Sequence, residues 1–488
     1  MLNMQRRMSR PFLVLLTLPA TAMGFALSVQ ISVLSWILST KYGLHIDEIG
    51  IVWAAGPLAG IVGQLLIGVL SDQVWFWNGR RRPFIVIGGL LSALMILALP
   101  HLGLISKALG VDAIVAVAVS VALALDLSIN VSFNPTRSII TDVTTEGAMR
   151  TRGYTWMQTV SGFFGVLAYA IGGTLGNVTL IYVAAVLVPV FSILPALLIE
   201  EPRVLMRPPG AAAQASSEGL GFGKLAKVLL PLWGILAYDI IAVALKVLGI
   251  RPAGMFLEIA CAISTVIVVW ISLVARDRGA EFVREDLVEF RKVLAAHSFS
   301  WIGIQTIFVY MISFVQARFP HLGATGTGEV LSFSFLVLSA VGAIMPAFVL
   351  EPLTTRYGQI GVHAACLAVM SGGFAGVYVL AGSPTTLYLL MAVMGVGWAA
   401  IVSLPFAIMS QRVDQSRIGL YMGVFNLSVV LPQLLVSLGV GTIVSKVADK
   451  GVIFLIGAVA LAISAAAWLR VRPAGDLPVA LPTRGASH

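Results

Sequence analysis

"GPLAGIVGQLLIGVLSDQVWFWNGRRRPFIVIGG", residues 56–89, holds two long apolar runs joined by a turn that carries one acid, Asp72, and three arginines, Arg80 to Arg82. Such a segment reads as two membrane-crossing helices with a charged turn between them, because roughly 20 apolar residues in a helix span the hydrocarbon core. Runs of similar length recur along all 488 residues, of which 58% are hydrophobic and only 11% charged. Soluble domains carry about 25% charged residues. The short alternating segments of a membrane barrel are absent, so helices are the expected spanning form. The chain is expected to be an all-α polytopic membrane protein.

Apolar runs at 12–39, 49–71, 84–103, 111–134, 155–175, 178–199, 226–248, 253–275, 294–317, 330–352, 359–382, 385–409, 418–444 and 451–470 predict about fourteen spans, grouped as six, two and six. The basic residues test that count. With both termini in the cytoplasm, only Lys41, Lys107, Lys246, Arg251, Arg318, Lys446 and Lys450 of the 31 Lys and Arg fall outside, as the positive-inside rule expects. A net charge of +9 then reads as topology rather than as a nucleic-acid surface. The expected domains are a six-helix bundle at 1–200, a Pro/Gly/Ala/Ser-rich linker at 201–225, and two additional helices at 226–276. A second linker at 277–293, a six-helix bundle at 294–471 and a cytoplasmic tail at 472–488 follow. The basic N-terminus leads into an apolar run reaching about residue 39, too long for a signal core, and is read as an uncleaved first span. The chain is expected in the cell (inner or plasma) membrane.

Cys261 and Cys366 lie inside apolar runs without paired spacing. No metal-ligand cluster, HExxH, GxSxG or P-loop is found, which argues against an enzyme, a metal or a cofactor. The arginine turn anchors its loop inside. It also reads as a latch, in which a carboxylate such as Asp72 pairs with a guanidinium and holds one conformation closed.

Asp126 stands in the middle of "IVAVAVSVALALDLSINVSF", residues 114–133. A charged group at the bilayer centre costs about 2.5–3.5 kcal/mol on insertion scales and marks an ion or substrate pathway by default. A structural hydrogen bond to a neighbouring helix is the plainer alternative. Arg137 follows eleven residues later, about 16 Å along a straight helix. It reads either as a coupling residue, with Pro135 bending the helix to shorten that distance, or as an anchor paired with Asp142. Asp239 and Glu258 in the additional helices are expected to be structural, and His297 a satisfied core polar residue.

Several of these stretches resemble one family. The 56–89 stretch is similar to the W-x-x-GP-x-x-G-x-x-x-Q, SD and GRRRPFI pattern of the sucrose/proton symporters of the major facilitator superfamily. "LDLSINVSFNPTRSIITDV" (125–143), "LPFAIMS" (404–410) and "GLYMGVFNLSVVLPQLLVSLGVG" (419–441) resemble that family's fourth, tenth and eleventh spans. The resemblance implies a major facilitator fold of two six-helix bundles, here with two helices between them that have no counterpart in the family's twelve. It implies proton-coupled symport of a sucrose-like disaccharide or glucoside by alternating access, with Asp126 and Arg137 in proton coupling. On that fold Gln30, Gln64, Asn130, Trp301, Gln305, Asn426 and Gln433 are the candidate sugar contacts, although amides in a bundle also serve as interhelical glue. Asp72, Arg80, Arg81, Arg82 and Asp142 form the expected cytoplasmic gate. The first span keeps "VQIS" but continues "VLSW" (33–36) where the family has Thr-Pro-Tyr. A facilitator for another cargo, such as a drug, metabolite or pigment intermediate, is the competing expectation.

Overall fold

The computed structural model describes residues 3–61, 63, 70, 74–111, 113–144, 148–203, 222–250, 256–275, 287–413 and 418–472. Among them the backbone is helical almost throughout, and no strand forms beyond an isolated bridge between Phe76 and Gly79. Hydrocarbon offers no water to peptide groups, and a helix satisfies them within its own segment. The longer helices are α1 (Arg10–Thr40), α2 (Ile46–Trp53), α3 (Arg82–Ala98), α4 (Ile114–Val143), α5 (Ala148–Leu175) and α6 (Asn177–Leu198). After the linker come α7 (Trp233–Val247) and α8 (Phe256–Val274). The chain ends with α9 (Leu287–Arg318), α10 (Gly323–Met345), α11 (Gln359–Leu380), α12 (Pro384–Ser410), α13 (Ile418–Leu435) and α14 (Val452–Trp468).

Local chemistry sets the starts of these helices. Ser9 caps α1 by accepting from the Phe12 amide at 3.4 Å, and Ser383 caps α12 by accepting from the Thr386 amide at 3.2 Å. Each is followed by a proline in the first turn, where the missing N–H costs nothing. Ten described helices are long and apolar enough to cross a bilayer. The expected spans at 226–248 and 451–470 contain the shorter α7 and α14, of 15 and 17 residues. The 49–71 span begins as α2 and runs into positions outside the described residues, where Gln64 and Asp72 lie.

Helices before residue 200 pack on one another, α1 against α5, α6 and α4, and α3 against α4 and α6. Those after residue 287 do the same, α9 against α14 and α13, and α11 against α12 and α14. The two sets meet along two seams. In one, α5 lies against α10; in the other, α2 lies against a five-residue π-helical turn, Val436–Val440, and the short helix after it. The second seam is close because residue 50 is glycine: a Cβ there would collide with the Ser437 carbonyl. A π turn disturbs the regular pairing of carbonyls. Here the Tyr310 hydroxyl donates to Val436 and Ser437 O at 3.0 and 3.1 Å.

The additional helices do not stand apart from this seam. Tyr238 and Ala242 of α7 form a small core with Ala54, Leu434 and Leu438, so α7 covers the line where α2 meets the end of α13. Their far faces expose Phe256, Ile263 and Trp270, as lipid contact requires.

The two ends of the molecule are bonded differently. Ser32 hydrogen-bonds Ser332 at 2.6 Å, and Ser332 donates to Asn177 Oδ1 at 2.9 Å. Ser35 donates to Val309 O, Trp36 Nε1 to Ala324 O, and Ser39 to Gln316 Oε1, at 2.8, 2.7 and 3.0 Å. These five bonds tie the two sets of helices together at one end. At the arginine-rich end, Arg81–Asp142, Gln5–Glu200, Arg80–Glu201 and Arg472–Glu289 each join residues of one set.

Candidate functional site

α4 packs against α3 through small residues, with Ser132 donating to the Phe84 carbonyl at 3.0 Å, and carries Asp126 on the face toward α1. Asp126 and its partner Gln30 on α1 are both buried, 7% and 4% exposed. Gln30 Nε2 donates to both carboxylate oxygens, Oδ2 at 3.1 Å and Oδ1 at 3.2 Å. A Cβ at Gly56 would sit 3.2 Å from Asp126 Oδ2, so a glycine lets the second span close over the acid. Glutamine suits an acid that changes state. Its NH2 donates to a carboxylate and, after a half-turn of the amide, its carbonyl accepts from the protonated form.

Eleven residues make close to three helical turns, so Arg137 stands on the same face of α4 as Asp126, about 16 Å nearer the arginine-rich end. Its side chain is exposed, with the guanidinium over the Phe133 ring at 4.1 Å. The alternative reading of Arg137 as an anchor paired with Asp142 is not what forms: Asp142 Oδ2 accepts from Arg81 Nε at 2.9 Å. α4 also continues as helix through Pro135, so that proline does not bring the two charges together. Asn130 Nδ2 donates to the Asp126 carbonyl at 2.8 Å, which fixes it to its own helix one turn from the acid.

On the other side, Ser35 and Ser39 meet α9 at Val309 and Gln316, and Gln305 continues that face of α9 toward the arginine-rich end. Gln305 is buried, whereas Asn426 and Gln433 are half-buried, and none of the three hydrogen-bonds a described residue. Trp301 is half-buried, lies edge-on to Trp398 of α12 with ring centroids 6.3 Å apart, and donates from Nε1 to His297 Nε2 at 2.9 Å. Trp398 in turn meets Phe308 at 5.7 Å. Trp398 was not expected from sequence, where "VGWAA" reads as one more apolar stretch; only the packing of α12 against α9 and α10 brings it beside Trp301. Gln64 and Asp72 lie outside the described residues.

The arginine turn does more locally than sequence suggests. Trp77 and Asn78 take left-handed backbone angles, φ 51° and 57°, in a two-residue turn closed by Phe76 and Gly79. The chain then presents the amides of Arg80, Arg81 and Arg82 to the Glu201 carboxylate at 2.7, 2.8 and 2.8 Å. An acid at the first turn of a helix satisfies its orphan donors and suits its dipole. Arg82 also donates to the Ile199 carbonyl at 2.7 Å. Together with Arg81–Asp142, these bonds brace α3, α4 and the end of α6 to one another. Glu201 was read only as linker; an acid just after an apolar run and opposite three basic residues was the available signal.

At the bonded end of the molecule the two sets leave a hollow of about 280 Å³, lined in part by Ser39, His45, Asp47, Gln316 and Lys450. Ser39 lies nine residues beyond Gln30, about 14 Å along α1. The hollow is therefore separated from Asp126 by the layer of cross-bonds at Ser32 to Trp36.

The chain matches the family model described as Major Facilitator Superfamily over residues 16–437. It is 25% identical over 466 residues to the sucrose transport protein SUC4 of Arabidopsis thaliana, covering 88% of this chain and 83% of that one. To the sucrose transport protein SUT2 of Oryza sativa subsp. indica it is 24% identical, covering 86% and 84%. A shorter match, 27% identical over 190 residues, joins 35% of the chain to 34% of the general alpha-glucoside permease of Schizosaccharomyces pombe. Among solved structures, the POT family transporter PepTSo superposes with a TM-score of 0.63 at 13% identity, covering 94% of this chain and 97% of that one. At that identity the likeness speaks for the fold. With apolar helices throughout and a family match across most of its length, the chain is a multi-pass membrane transporter, not an enzyme, and belongs to the Major Facilitator Superfamily.

Proposed function

We propose that the chain is a proton-coupled symporter that carries a disaccharide or glucoside of the sucrose class by alternating access. The observation that carries this reading is the Gln30–Asp126 pair, a buried carboxylate held by an amide that suits both of its protonation states. In this mechanism Asp126 takes a proton when the site faces outward and gives it up when the site faces inward. Arg137, exposed on the same face of α4 about 16 Å nearer the arginine-rich end, is the assisting coupling residue, placed where a proton released from Asp126 leaves toward the inner side. The sugar occupies the space between two six-helix bundles, 1–200 and 294–471. Gln30, Gln64, Asn130, Gln305, Asn426 and Gln433 hydrogen-bond its hydroxyls, and Trp301 faces its ring. The relatives named as sucrose and alpha-glucoside carriers support the substrate class.

The arginine-rich end is assigned to the cytoplasm, with both termini there, in a cell (inner or plasma) membrane. The cross-bonded end then faces outward, and its closure supports reading this arrangement as inward-facing. Five interhelical hydrogen bonds at about 0.6 kcal/mol each in a membrane amount to about 3 kcal/mol. That is enough to favour one state and small enough to break in each cycle. The arginine turn with Asp142 stiffens the inner end of the first bundle as part of the gate.

In proteoliposomes, Asp126→Asn should abolish proton-driven accumulation of labelled sucrose while leaving sugar exchange at zero gradient. Undiminished uphill uptake by that variant would refute the assigned role. Thermal stabilisation measured across sugars and apolar compounds decides the cargo: a shift with apolar compounds alone would replace the sugar reading by a facilitator of another cargo.

A further inference from the structure

We infer that His297 is a positioning residue: it holds the Trp301 indole in the one orientation that presents its aromatic face, rather than its N–H, to the sugar. The inference rests on the sugar-carrier reading above.

The geometry is local and specific. His297 and Trp301 are four residues apart on α9, and helical side chains lean toward the N-terminus, so the indole falls back onto the imidazole. Trp301 Nε1 donates to His297 Nε2 at 2.9 Å. An indole nitrogen only donates, so Nε2 carries no proton and the ring is the neutral tautomer with its hydrogen on Nδ1. Nδ1 has no partner among the described residues. The bond to Trp301 is therefore the polar contact that the geometry gives this buried ring.

His297 is itself fixed. It is 2% exposed, stacks on Phe425 with centroids 4.7 Å apart and planes 17° apart, and meets the edge of Trp468 at 6.5 Å. Two other helices, α13 and α14, thus set where the imidazole stands, and the imidazole sets where the indole points. Trp398 closes the other side of Trp301 at 82° between planes. With its N–H consumed, Trp301 offers a ligand a π face and no donor. A pyranose ring offers C–H groups on one face and hydroxyls at its rim, so this surface takes the ring face and leaves the hydroxyls to the amides opposite.

Two substitutions separate positioning from packing. His297→Phe keeps the stack on Phe425 and removes the acceptor; His297→Gln loses the stack and keeps an oxygen that accepts the indole N–H. In proteoliposome counterflow with labelled sucrose, His297→Phe should raise KM by about 10-fold with kcat changed less than about 2-fold, and His297→Gln should hold KM within about 3-fold of the parent; one hydrogen bond is of that order. Trp301→Phe should show the same rise and make a further His297→Phe change silent. The reverse pattern, with Phe benign and Gln harmful, assigns His297 to packing and overturns the inference. If the parent protein exchanges no sugar, the carrier reading fails instead. The pairing is still read directly, because the 15N–1H signal of the Trp301 indole must move in His297→Phe and return in His297→Gln. An unmoved signal overturns the inference whatever the cargo.

Discussion

Asp126 and Asp239 are both carboxylates buried inside apolar helices, 7% and 2% exposed. Asp126 lies between α1, α4 and the second span, and both its oxygens accept from Gln30. Asp239 lies on α7, and neither of its oxygens has a partner among the described residues. The same residue type in the same kind of stretch therefore has two different settings. One acid is held inside the first set of helices by an amide from a neighbouring span; the other is left on a helix that covers a seam. A buried polar group without a partner costs about 1–3 kcal/mol, and that cost is tolerated at Asp239 without any visible hydrogen bond in return.

The sharpest way to break this contrast is to neutralise each acid. Asp126→Asn should reduce the steady-state accumulation ratio of sucrose to one under an imposed proton gradient, whereas Asp239→Asn should stay within about 2-fold of the parent, as expected for a site away from the coupling pair. Equal losses in both would place coupling in the additional helices as well. Removing the partner rather than the acid is the next largest test. Gln30→Leu leaves Asp126 buried without a donor and should cost about 1–3 kcal/mol in thermal stability, with a KM rise of about 10-fold.

A smaller effect is expected from the cross-bonded end. Trp36→Phe removes the donor to Ala324 O and should shift the equilibrium toward the outward-facing state by about 3-fold, since one membrane hydrogen bond is worth about 0.6 kcal/mol. Accessibility of a cysteine introduced at Ser39 to an impermeant thiol reagent, with the native cysteines replaced, measures that shift; an unchanged rate would deny the bond a role in closure. The smallest effect on transport, and one of opposite sign on stability, belongs to Asp239→Leu. It removes the unpartnered oxygens and should raise the melting midpoint of purified protein by a few degrees, about 1 kcal/mol, with uptake unaltered. A lowered midpoint would reveal a partner that the folded chain supplies to this acid.

The arginine turn shows how the reading of a motif changes with neighbours. Three basic side chains suggested a latch made by charge. The folded chain uses their backbone amides, clamped on Glu201, and one guanidinium on Asp142. The acid after the sixth apolar run hinted at a partner for this turn, but nothing in the side chains shows that it accepts three amide protons about 120 residues away. "VLSW" is a second case: it departs from the resembled family's first span, and Ser35 and Trp36 spend their donors on carbonyls of the opposite set of helices.

The chain's own order of residues was enough to determine the all-helical membrane class, the family and the mid-span position of Asp126. Each of those follows from run length, hydropathy and contiguous motifs, which are local along the chain. Tertiary structure alone decided that Gln30 meets Asp126, that Trp398 flanks Trp301, that Asp142 serves Arg81 and not Arg137, and that α7 covers the seam beside Ala54. Those partners come from different helices and lie from about 60 to about 180 residues apart along the chain. In a bilayer every helix is apolar on many sides, so hydrophobic patterning cannot choose which faces meet; close packing at small residues and the geometry of a few polar groups make that choice.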